Sequence, residues 1–328
     1  MPCELVHPSL IELPMERTAH KCMFTHLVSF PLLLNDMIQT NATYLPESIL
    51  NFIQASVIQQ CDIIDGVADS LIENPLACSF NISSLACTTG ARAENAICLT
   101  PSQLDAAKAI YQGPVRSTSP RTSLFPGLSL GSESGWLRPQ VQAGLSDAFS
   151  VPILQNLVYQ NLSYNPATFN WGSDVDFLDA RAGQLINSVN TNLSSFRNRG
   201  SKMIVYAGWA DPNIAPMWSI RHVEAITQTT IGHGTTMAEN DFIKLVMVPG
   251  GGHCGGNIAK YRHVPAQYGV SSALVEWVEK GQEPVKGIKS WGPINGENRT
   301  RRLCTWPQVA KLKTGGDVDD WESYACDD

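Results

Sequence analysis

One glycine-rich segment near the C-terminal end limits what this chain can fold into. Residues 242–248 are rich in β-forming side chains and stop at Pro249, and three glycines then lead directly to His253. Glycine allows backbone conformations that other residues avoid, and it lets a neighbouring chain approach closely. The segment predicts a strand followed by a tight loop that presents one histidine. An imidazole held in this way suits proton transfer, because it both accepts and donates a proton near neutral pH.

A second strand-to-loop junction lies upstream. The apolar run 202–210 ends at Asp211-Pro212. An acid after one strand and a histidine after a later strand form the Asp-then-His part of a hydrolase triad, in which the carboxylate fixes the imidazole tautomer. Taken singly, Asp-Pro is a common turn and most histidines are structural. The two together, with the glycines beside His253, favour a catalytic pair of Asp211 and His253.

Composition excludes several classes of protein. The 328 residues are enough for one large or two moderate domains, and a content of 43% hydrophobic and 16% charged residues argues against disorder. The net charge of −7 argues against nucleic acid or an anionic membrane as a main partner. A membrane helix needs roughly 20 apolar residues. The longest candidate, residues 27–34, is short and interrupted by Pro31.

The cysteines and glycosylation motifs favour a secreted protein. Of nine cysteines, four lie between residues 61 and 98 and two flank the C-terminal tail. No pair has Cys-x-x-Cys spacing, which weakens zinc and redox interpretations, and pairs that close short loops fit an oxidising compartment. Asn-x-Ser/Thr motifs agree with secretion and lie at Asn41, Asn81, Asn161, Asn192 and Asn298. Residues 1–20 lack a basic start followed by an apolar core, so we expect the signal peptide to be missing from the chain.

An acidic segment lies between Cys61 and Cys78. Asp62, Asp65 and Asp69 fall within eight residues, with a glycine between them for the turn. Carboxylates supplemented by backbone carbonyls are the ligands that calcium prefers, although this spacing is not that of an EF-hand. The segment is therefore either a calcium loop or a solvated acidic turn.

Coarse periodicity predicts an α/β arrangement. Helices are expected where apolar residues recur at helical spacing or where a Thr-Pro-x-Gln capping pattern occurs, and residues 115–172 are expected to form long loops with short helices, a candidate lid. The predicted helices cover residues 46–61, 100–112, 175–189, 217–229 and 273–278. Together with the strands before Asp211 and His253, they form the end of an α/β sheet of which two convincing strands are visible.

An Asp–His pair implies a nucleophile on an earlier strand. Gly127-Leu128-Ser129-Leu130-Gly131 matches the Gly-x-Ser-x-Gly pattern of hydrolases. That pattern requires an apolar strand before it and a helix after it. Here a polar, proline-containing sequence precedes the pattern, and Ser-Glu-Ser-Gly follows its last glycine. We therefore do not assign Ser129 as the nucleophile.

The chain resembles the tannase and feruloyl esterase family of secreted, mainly fungal α/β-hydrolases, from about Phe24 to Cys326. The motifs that carry the resemblance are Tyr44-Leu45-Pro46, Cys61-Asp62-x-x-Asp65-Gly66-Val67-x-Asp69, Phe125-Pro126-Gly127, Gly208-Trp209-x-Asp211-Pro212, Val248-Pro249-Gly250-x-Gly252-His253-Cys254 and Leu303-Cys304. The resemblance implies a carboxylic ester hydrolase that cleaves phenolic acid esters, such as plant cell-wall feruloyl or galloyl esters, by a Ser-Asp-His mechanism. It implies a poorly defined segment 1–43, a lid with a calcium loop at 44–195, and the C-terminal part of an incomplete α/β-hydrolase sheet at 196–328.

The resemblance also implies roles for individual residues. Asp211 would orient the imidazole and His253 would be the general base. The implied calcium ligands are the side chains of Asp62, Asp65 and Asp69 and the backbone oxygens of Val67 and Leu71. The implied disulfides are Cys61–Cys78, Cys87–Cys98 and Cys304–Cys326. In the family, the cysteine that corresponds to Cys254 pairs with a cysteine directly before the nucleophilic serine.

The chain departs from the family at that nucleophile. In the family a Cys-Ser segment lies upstream of the lid, whereas the sole Cys-Ser dipeptide here is Cys78-Ser79, whose cysteine already fits the calcium-loop bridge. We therefore expect an N-terminally truncated relative with little activity, in which Cys254 lacks its family partner. The alternative is a secreted, calcium-stabilised binding protein without catalysis. A metallohydrolase is a weaker hypothesis, because Asp211 and His253 have no third ligand at close spacing.

Overall fold

The computed structural model describes residues 3–6, 40–87, 97–142, 144–187, 189–253, 267–294 and 297–327. The predictions for Cys254 and for most of the segment 1–43 fall outside the described residues. The division of the chain at residues 43 and 195 stays a prediction.

Helices and strands alternate with single helical turns. The helices are α1 (Glu47–Cys61), α2 (Pro101–Gln112), α3 (Ser173–Leu178), α4 (Gln184–Ile186), α5 (Ser194–Asn198), α6 (Met217–Thr230) and α7 (Val270–Lys280). The strands are β1 (Cys3–Val6), β2 (Met203–Gly208), β3 (Ile243–Val248), β4 (Gln267–Tyr268), β5 (Ile288–Ile294), β6 (Glu297–Leu303), β7 (Val309–Leu312) and β8 (Tyr324–Asp327). Single turns of helix lie at Asp62–Asp65, Pro75–Ala77, Ile82–Leu85, Glu133–Gly135, Leu137–Val141, Ser146–Ser150, Ile153–Val158, Pro166–Thr168, Asp179–Gly183 and Trp321–Ser323. None of the described helices is long and apolar enough to cross a membrane.

The central sheet has the order β1-β2-β3 and carries both candidate catalytic residues. The strands β2 and β3 are parallel, with Met203 opposite Ile243 and Gly208 opposite Val248, and β1 pairs antiparallel with the other edge of β2. Parallel strands need a crossover connection, which α6 supplies. The two strands predicted before Asp211 and His253 are thus neighbours in one sheet.

A helix covers each face of this sheet. Side chains alternate between the two faces of a strand. On one face Val205 and Leu245 pack in a cluster with Val223 of α6, whereas on the other Val246 packs with Leu274 of α7. This arrangement of a parallel pair between two helices is the α/β architecture that the sequence predicted.

The C-terminal strands correct the expectation of two convincing strands. The strands β5 and β6 pair antiparallel from Ile288 opposite Leu303 onwards, β4 adds to β5, and β7 pairs with β8. Asn295-Gly296 connects β5 and β6 in the sequence and lies outside the described residues. Asn-Gly between two strand-like runs is a strong hairpin signal, and our sequence interpretation did not use it.

The N-terminal helices follow the prediction closely. Helix α2 begins with a capping box, in which the Thr100 hydroxyl accepts the Gln103 N–H and the Gln103 side-chain oxygen accepts the Thr100 N–H. Helix α1 begins directly after Pro46. The helix expected at 175–189 is instead divided, because α3 ends at Leu178 and helical turns continue only to Ile186.

The structure contains three disulfides among the described residues. They are Cys61–Cys78, Cys87–Cys98 and Cys304–Cys326, the same pairs that the resemblance implies. Each closes a short loop, which stabilises the folded chain mainly by restricting the unfolded one. The first of them closes the acidic segment that contains Asp62, Asp65 and Asp69.

One carboxyl group is fully buried in the core of the α1–α2 region. The Glu133 side chain accepts a hydrogen bond from the Tyr111 hydroxyl at 2.6 Å and from the Gly131 N–H at 2.8 Å through the same oxygen, Oε1. Its other oxygen, Oε2, is buried without a hydrogen-bond partner among the described residues. Burial raises the pKa of Glu133 from 4.5 to about 7, and the bonds from Tyr111 and Gly131 offset part of that rise.

This carboxyl group makes stability depend on pH. A pKa that is higher in the folded than in the unfolded chain means that the folded chain binds more protons, so stability falls as pH rises from 4.5 to about 7. At about 1.4 kcal/mol for each pKa unit, the loss is about 3 kcal/mol. We expect Glu133→Gln to remove this loss, so that the variant gains about 3 kcal/mol on the wild type between about pH 4 and pH 8.

Urea unfolding across this pH range measures the difference. The matched control is Glu224→Gln, which changes an exposed glutamate and leaves the pH dependence as it is. An unchanged slope in Glu133→Gln would show that this carboxyl group ionises normally in the folded chain.

Candidate active site

The two loops that follow β2 and β3 leave the sheet at the same edge and are hydrogen-bonded to each other. The Trp209 N–H donates to the Val248 carbonyl at 2.9 Å, and the Ala210 N–H donates to the Gly251 carbonyl at 2.9 Å. The Gly251 N–H in turn donates to Val248 at 3.1 Å. These bonds set the distance between the first residues of the two loops.

Glycine is required where the loops meet. A Cβ atom at Gly208 would lie 2.1 Å from the Gly251 carbonyl oxygen, far inside van der Waals contact. Gly250 has a φ of 62°, in the left-handed region that favours glycine. The glycines that the sequence places on both sides of this contact therefore allow the two backbones to touch.

This contact brings Asp211 and His253 together. The His253 Nδ1 atom lies 2.8 Å from Oδ2 of Asp211. The other oxygen, Oδ1, accepts the N–H groups of Asn213 at 2.8 Å and Ile214 at 3.1 Å. The Asp211 side chain is 8% exposed and the His253 side chain is 36% exposed. A buried carboxylate held by two backbone donors thus orients an imidazole that solvent can reach.

The geometry assigns a role to each imidazole nitrogen. An ionised carboxylate only accepts hydrogen bonds, so Nδ1 carries the proton that faces Asp211. In the neutral ring, Nε2 is then the acceptor and is available to take a proton from another group. The pair can therefore act as a general base whose tautomer is fixed by Asp211.

A residue from the predicted lid holds the Asp211 turn from the other side. The buried Gln140 side chain donates from Nε2 to the Pro212 carbonyl at 2.7 Å. Ile214 and Ala215 pack in the same core cluster as Trp136 of the predicted lid. Sequence reasoning did not find Gln140, because nothing in a single sequence links positions that lie 72 residues apart.

The structure does not bring Ser129 to the imidazole. Its backbone carbonyl accepts a hydrogen bond from the Ser132 hydroxyl at 2.6 Å, within the segment predicted to be a lid. In the part of the chain that the structure describes, no serine hydroxyl hydrogen-bonds His253. The cysteine that follows the histidine, Cys254, lies outside the described residues.

The acidic segment folds back on its own backbone. Asp62 Oδ1 accepts the N–H groups of Asp69 and Leu71, each at 3.2 Å, and Asp65 Oδ1 accepts the Val67 N–H at 3.0 Å. The three carboxylates and the backbone of Val67 and Leu71 therefore belong to one compact loop, which contains every calcium ligand that the resemblance implies.

A buried arginine from β6 reaches this loop. Arg301 donates to Asp69, to Asp65 at 3.2 Å and to Glu73 at 3.0 Å, and the other oxygen of Glu73 accepts the Ala310 N–H at 2.8 Å. Burial raises the pKa of Asp65 and of Glu73, and Arg301 opposes that rise. Sequence reasoning missed Arg301 and Glu73, which lie 228 residues apart.

The donor groups of the loop fit a hard divalent cation by charge. No three acidic, histidine or cysteine side chains converge as a ready metal-binding group within the described ranges. Two of the three aspartates instead give an oxygen to Arg301. The loop and Glu73 carry four carboxylates, of which Asp65, Asp69 and Glu73 contact Arg301. The second guanidinium group is that of Arg299, whose Nη1 lies 3.6 Å from Asp69. The excess of negative charge would be neutralised by a divalent cation.

Comparison with known proteins decides the family. The family model described as tannase and feruloyl esterase matches residues 21–327. This chain belongs to the tannase and feruloyl esterase family. It is 29% identical over 302 residues to a probable feruloyl esterase B-2 of Aspergillus terreus. The aligned region covers 87% of this chain and 55% of that relative.

A bacterial relative shows a similar extent of coverage. The chain is 28% identical over 323 residues to a mono(2-hydroxyethyl) terephthalate hydrolase of Piscinibacter sakaiensis. The aligned region covers 84% of this chain and 51% of that enzyme. The chain thus spans about half the length of these family members.

Solved structures of esterases share the fold. The crystal structure of feruloyl esterase B from Aspergillus oryzae superposes with a TM-score of 0.78 at 21% identity, and covers 93% of this chain and 62% of that one. A second esterase from Aspergillus oryzae superposes with a TM-score of 0.80 at 24% identity, again over 93% of this chain and 62% of the other. At these identities the similarity shows that this chain shares the fold of the two esterases, and it shows the fold alone.

The contact between Gly208 and Gly251 makes a prediction about stability. We expect Gly208→Ala to lower the free energy of unfolding by about 1–3 kcal/mol or more, because the added methyl group collides with a backbone carbonyl that cannot rotate away. Urea unfolding measures the change. Gly144→Ala is the matched control, since its Cβ would meet no atom closer than 3.5 Å. Equal stability of the two variants would contradict the close approach of the loops.

Proposed function

We propose that this chain contributes the acid and base of a carboxylic ester hydrolase that cleaves phenolic acid esters, of the feruloyl or galloyl type, by a Ser-Asp-His mechanism. The observation that supports this most is the 2.8 Å contact between His253 Nδ1 and the buried carboxylate of Asp211. Membership of the family supports the ester class, and similarity to a probable feruloyl esterase supports the phenolic acid class.

The proposed reaction passes through an acyl-serine. His253 Nε2 takes the proton of a serine hydroxyl while the serine oxygen bonds to the ester carbonyl carbon. The same nitrogen then gives that proton to the departing alcohol oxygen as the ester C–O bond breaks. Water, activated in the same way, releases the acid and restores the serine. In each step Asp211 stabilises the imidazolium by accepting its Nδ1–H.

The proposed nucleophile is a serine preceded by a cysteine, from a segment beyond these 328 residues. In this proposal Cys254 bonds to that cysteine, which places the serine beside His253 and limits how far the two reacting groups can separate. The location of Ser129 within the lid, without a bond to His253, supports a nucleophile other than Ser129.

Turnover of a phenolic ester such as methyl ferulate tests the function. We expect the 328-residue chain by itself to give little or no turnover, and a longer polypeptide that adds the Cys-Ser segment to hydrolyse the ester. In the longer form, Asp211→Asn should lower kcat roughly 10³- to 10⁴-fold, because the imidazole loses its tautomer control.

The control for this measurement is Asp176→Asn, which removes an exposed ion pair with Arg116 and leaves kcat unchanged. Substantial turnover by the 328-residue chain that is lost in Ser129→Ala would overturn the proposed nucleophile. Full activity of Asp211→Asn in the longer form would overturn the catalytic pair itself, and would favour a binding protein.

We also propose that the acidic loop binds calcium through the side chains of Asp62, Asp65 and Asp69 and the backbone oxygens of Val67 and Leu71. The support is the shared loop, the oxygen donor set and the excess of carboxylates over guanidinium groups. Calcium would supply a structural cross-link within the lid.

Thermal unfolding after removal of divalent cations tests the calcium site. We expect added calcium at 100 times its Kd to stabilise the chain by about 2.7 kcal/mol and to raise Tm by about 5 °C. Asp62→Asn should lose most of this response, whereas Asp241→Asn, at an exposed ion pair with Arg197, should keep it. An identical Tm with calcium and with a chelator would rule the site out.

Secretion into an oxidising compartment is the remaining part of the proposal. The three disulfides support it, because such bonds persist outside the reducing cytosol. The glycosylation motifs at Asn81 and Asn161 lie on exposed residues, where a glycan can be attached.

A further inference from the structure

A cavity lies between the predicted lid and the beginning of α6, apart from the candidate catalytic pair. Its volume is about 650 Å³, and it opens between the end of α2, the beginning of α6 and the segment 75–82. Neither Asp211 nor His253 lines it. Cavities of roughly 300–1,000 Å³ are the usual size of small-molecule sites.

The walls of this cavity are held by close backbone contacts. A Cβ atom at Gly127 would lie 2.0 Å from the Tyr111 carbonyl oxygen, and the Leu128 N–H donates to the Ile110 carbonyl at 3.2 Å. These contacts fasten the segment 127–130 to the last turn of α2. Cys78 also lines the cavity and is disulfide-bonded to Cys61. The cavity is therefore formed before any ligand arrives, which lowers the entropy that binding has to overcome.

Most of the wall is apolar. Leu76, Phe80, Leu128 and Met217 line the cavity, and Leu76 is 53% exposed. Tyr111 also lines it, but its hydroxyl donates to the buried Glu133. Tyr111 therefore offers the cavity its ring. An apolar ligand body would remove these surfaces from water.

The charges that line the cavity are of one sign. Lys108 of α2 and Arg221 of α6 both line it, and none of the described lining residues is acidic. Neither cation forms an ion pair or a side-chain hydrogen bond with any described residue. The chain as a whole carries a net charge of −7, so two cations without acidic neighbours in the lining run against its overall balance.

We propose that this cavity binds a small amphipathic carboxylate, whose anionic group lies between Lys108 and Arg221 and whose apolar body packs against Leu76, Phe80 and Leu128. A guanidinium group can bind both oxygens of a carboxylate at once, and an ammonium group adds a point charge. The shared ligand chemistry is an aromatic or alkyl chain that ends in a carboxylate. The proposal does not depend on the ester hydrolase activity.

Isothermal titration of the 328-residue chain tests the proposal. The probes are 4-methoxycinnamate as the aromatic carboxylate, decanoate as the alkyl carboxylate, and the primary amide of each as the uncharged equivalent. We expect at least one carboxylate to bind roughly 10-fold or more tightly than its amide, since hydrogen bonds to charged groups contribute most in such sites.

Substitutions then locate the site. Lys108→Gln and Arg221→Gln should each weaken the carboxylate roughly 10-fold and leave amide binding unchanged. Leu76→Asp, at an exposed position in the wall, should weaken the carboxylate further by repulsion. The matched control is Arg199→Gln, an exposed arginine away from the cavity lining, which should leave every affinity unchanged.

The outcomes separate cleanly. Binding of one carboxylate and not the other identifies the ligand body as aromatic or alkyl, and either result supports the site. Equal affinity for acid and amide, no binding of either acid, or carboxylate binding that is unaffected in the double variant of Lys108 and Arg221 would each overturn the proposal. Circular dichroism of each variant establishes that it is folded.

Discussion

The backbone contact between Gly208 and Gly251 is the constraint on which the candidate site depends. Parallel pairing of β2 and β3 brings the two strand ends to the same edge, but it leaves the loops free to separate. The hydrogen bonds from Trp209 and Ala210 to the β3 end and its loop hold the two loops together. The absence of side chains at both glycines makes this close approach of the backbones possible. The imidazole and the carboxylate meet because their backbones already do.

The parts of the fold that the sequence predicted are those with strong local signals. Helix α2 has a complete capping box, and β3 is a continuous buried run, so both could be placed without tertiary information. The divided helix that begins at Ser173 and the strands β7 and β8 have weaker periodicity, and packing decides them. The Asn295-Gly296 dipeptide between the sequences of β5 and β6 is a strong local hairpin signal.

The candidate site divides in the same way. Asp211 and His253 could be predicted because glycine and proline mark the ends of their strands. The roles of Gln140, Glu73 and Arg301 could not be predicted, because they depend on contacts between residues that lie 72 to 237 positions apart in the sequence. Local sequence therefore predicts the candidate catalytic pair, whereas the residues that hold the loops around it can be found from the folded structure alone.

The pairing of Asp69 with Arg301 has a consequence for how the chain is made. The two residues are 232 positions apart, and both are almost completely buried. A carboxylate buried without its partner is costly, by about 3–5 kcal/mol when one member of such a pair is removed. During synthesis the acidic loop emerges long before Arg301, so the paired, buried state of Asp69 cannot form until the C-terminal strands have been made. The first disulfide loop of the chain therefore depends on its last strands for the partner of a buried carboxylate.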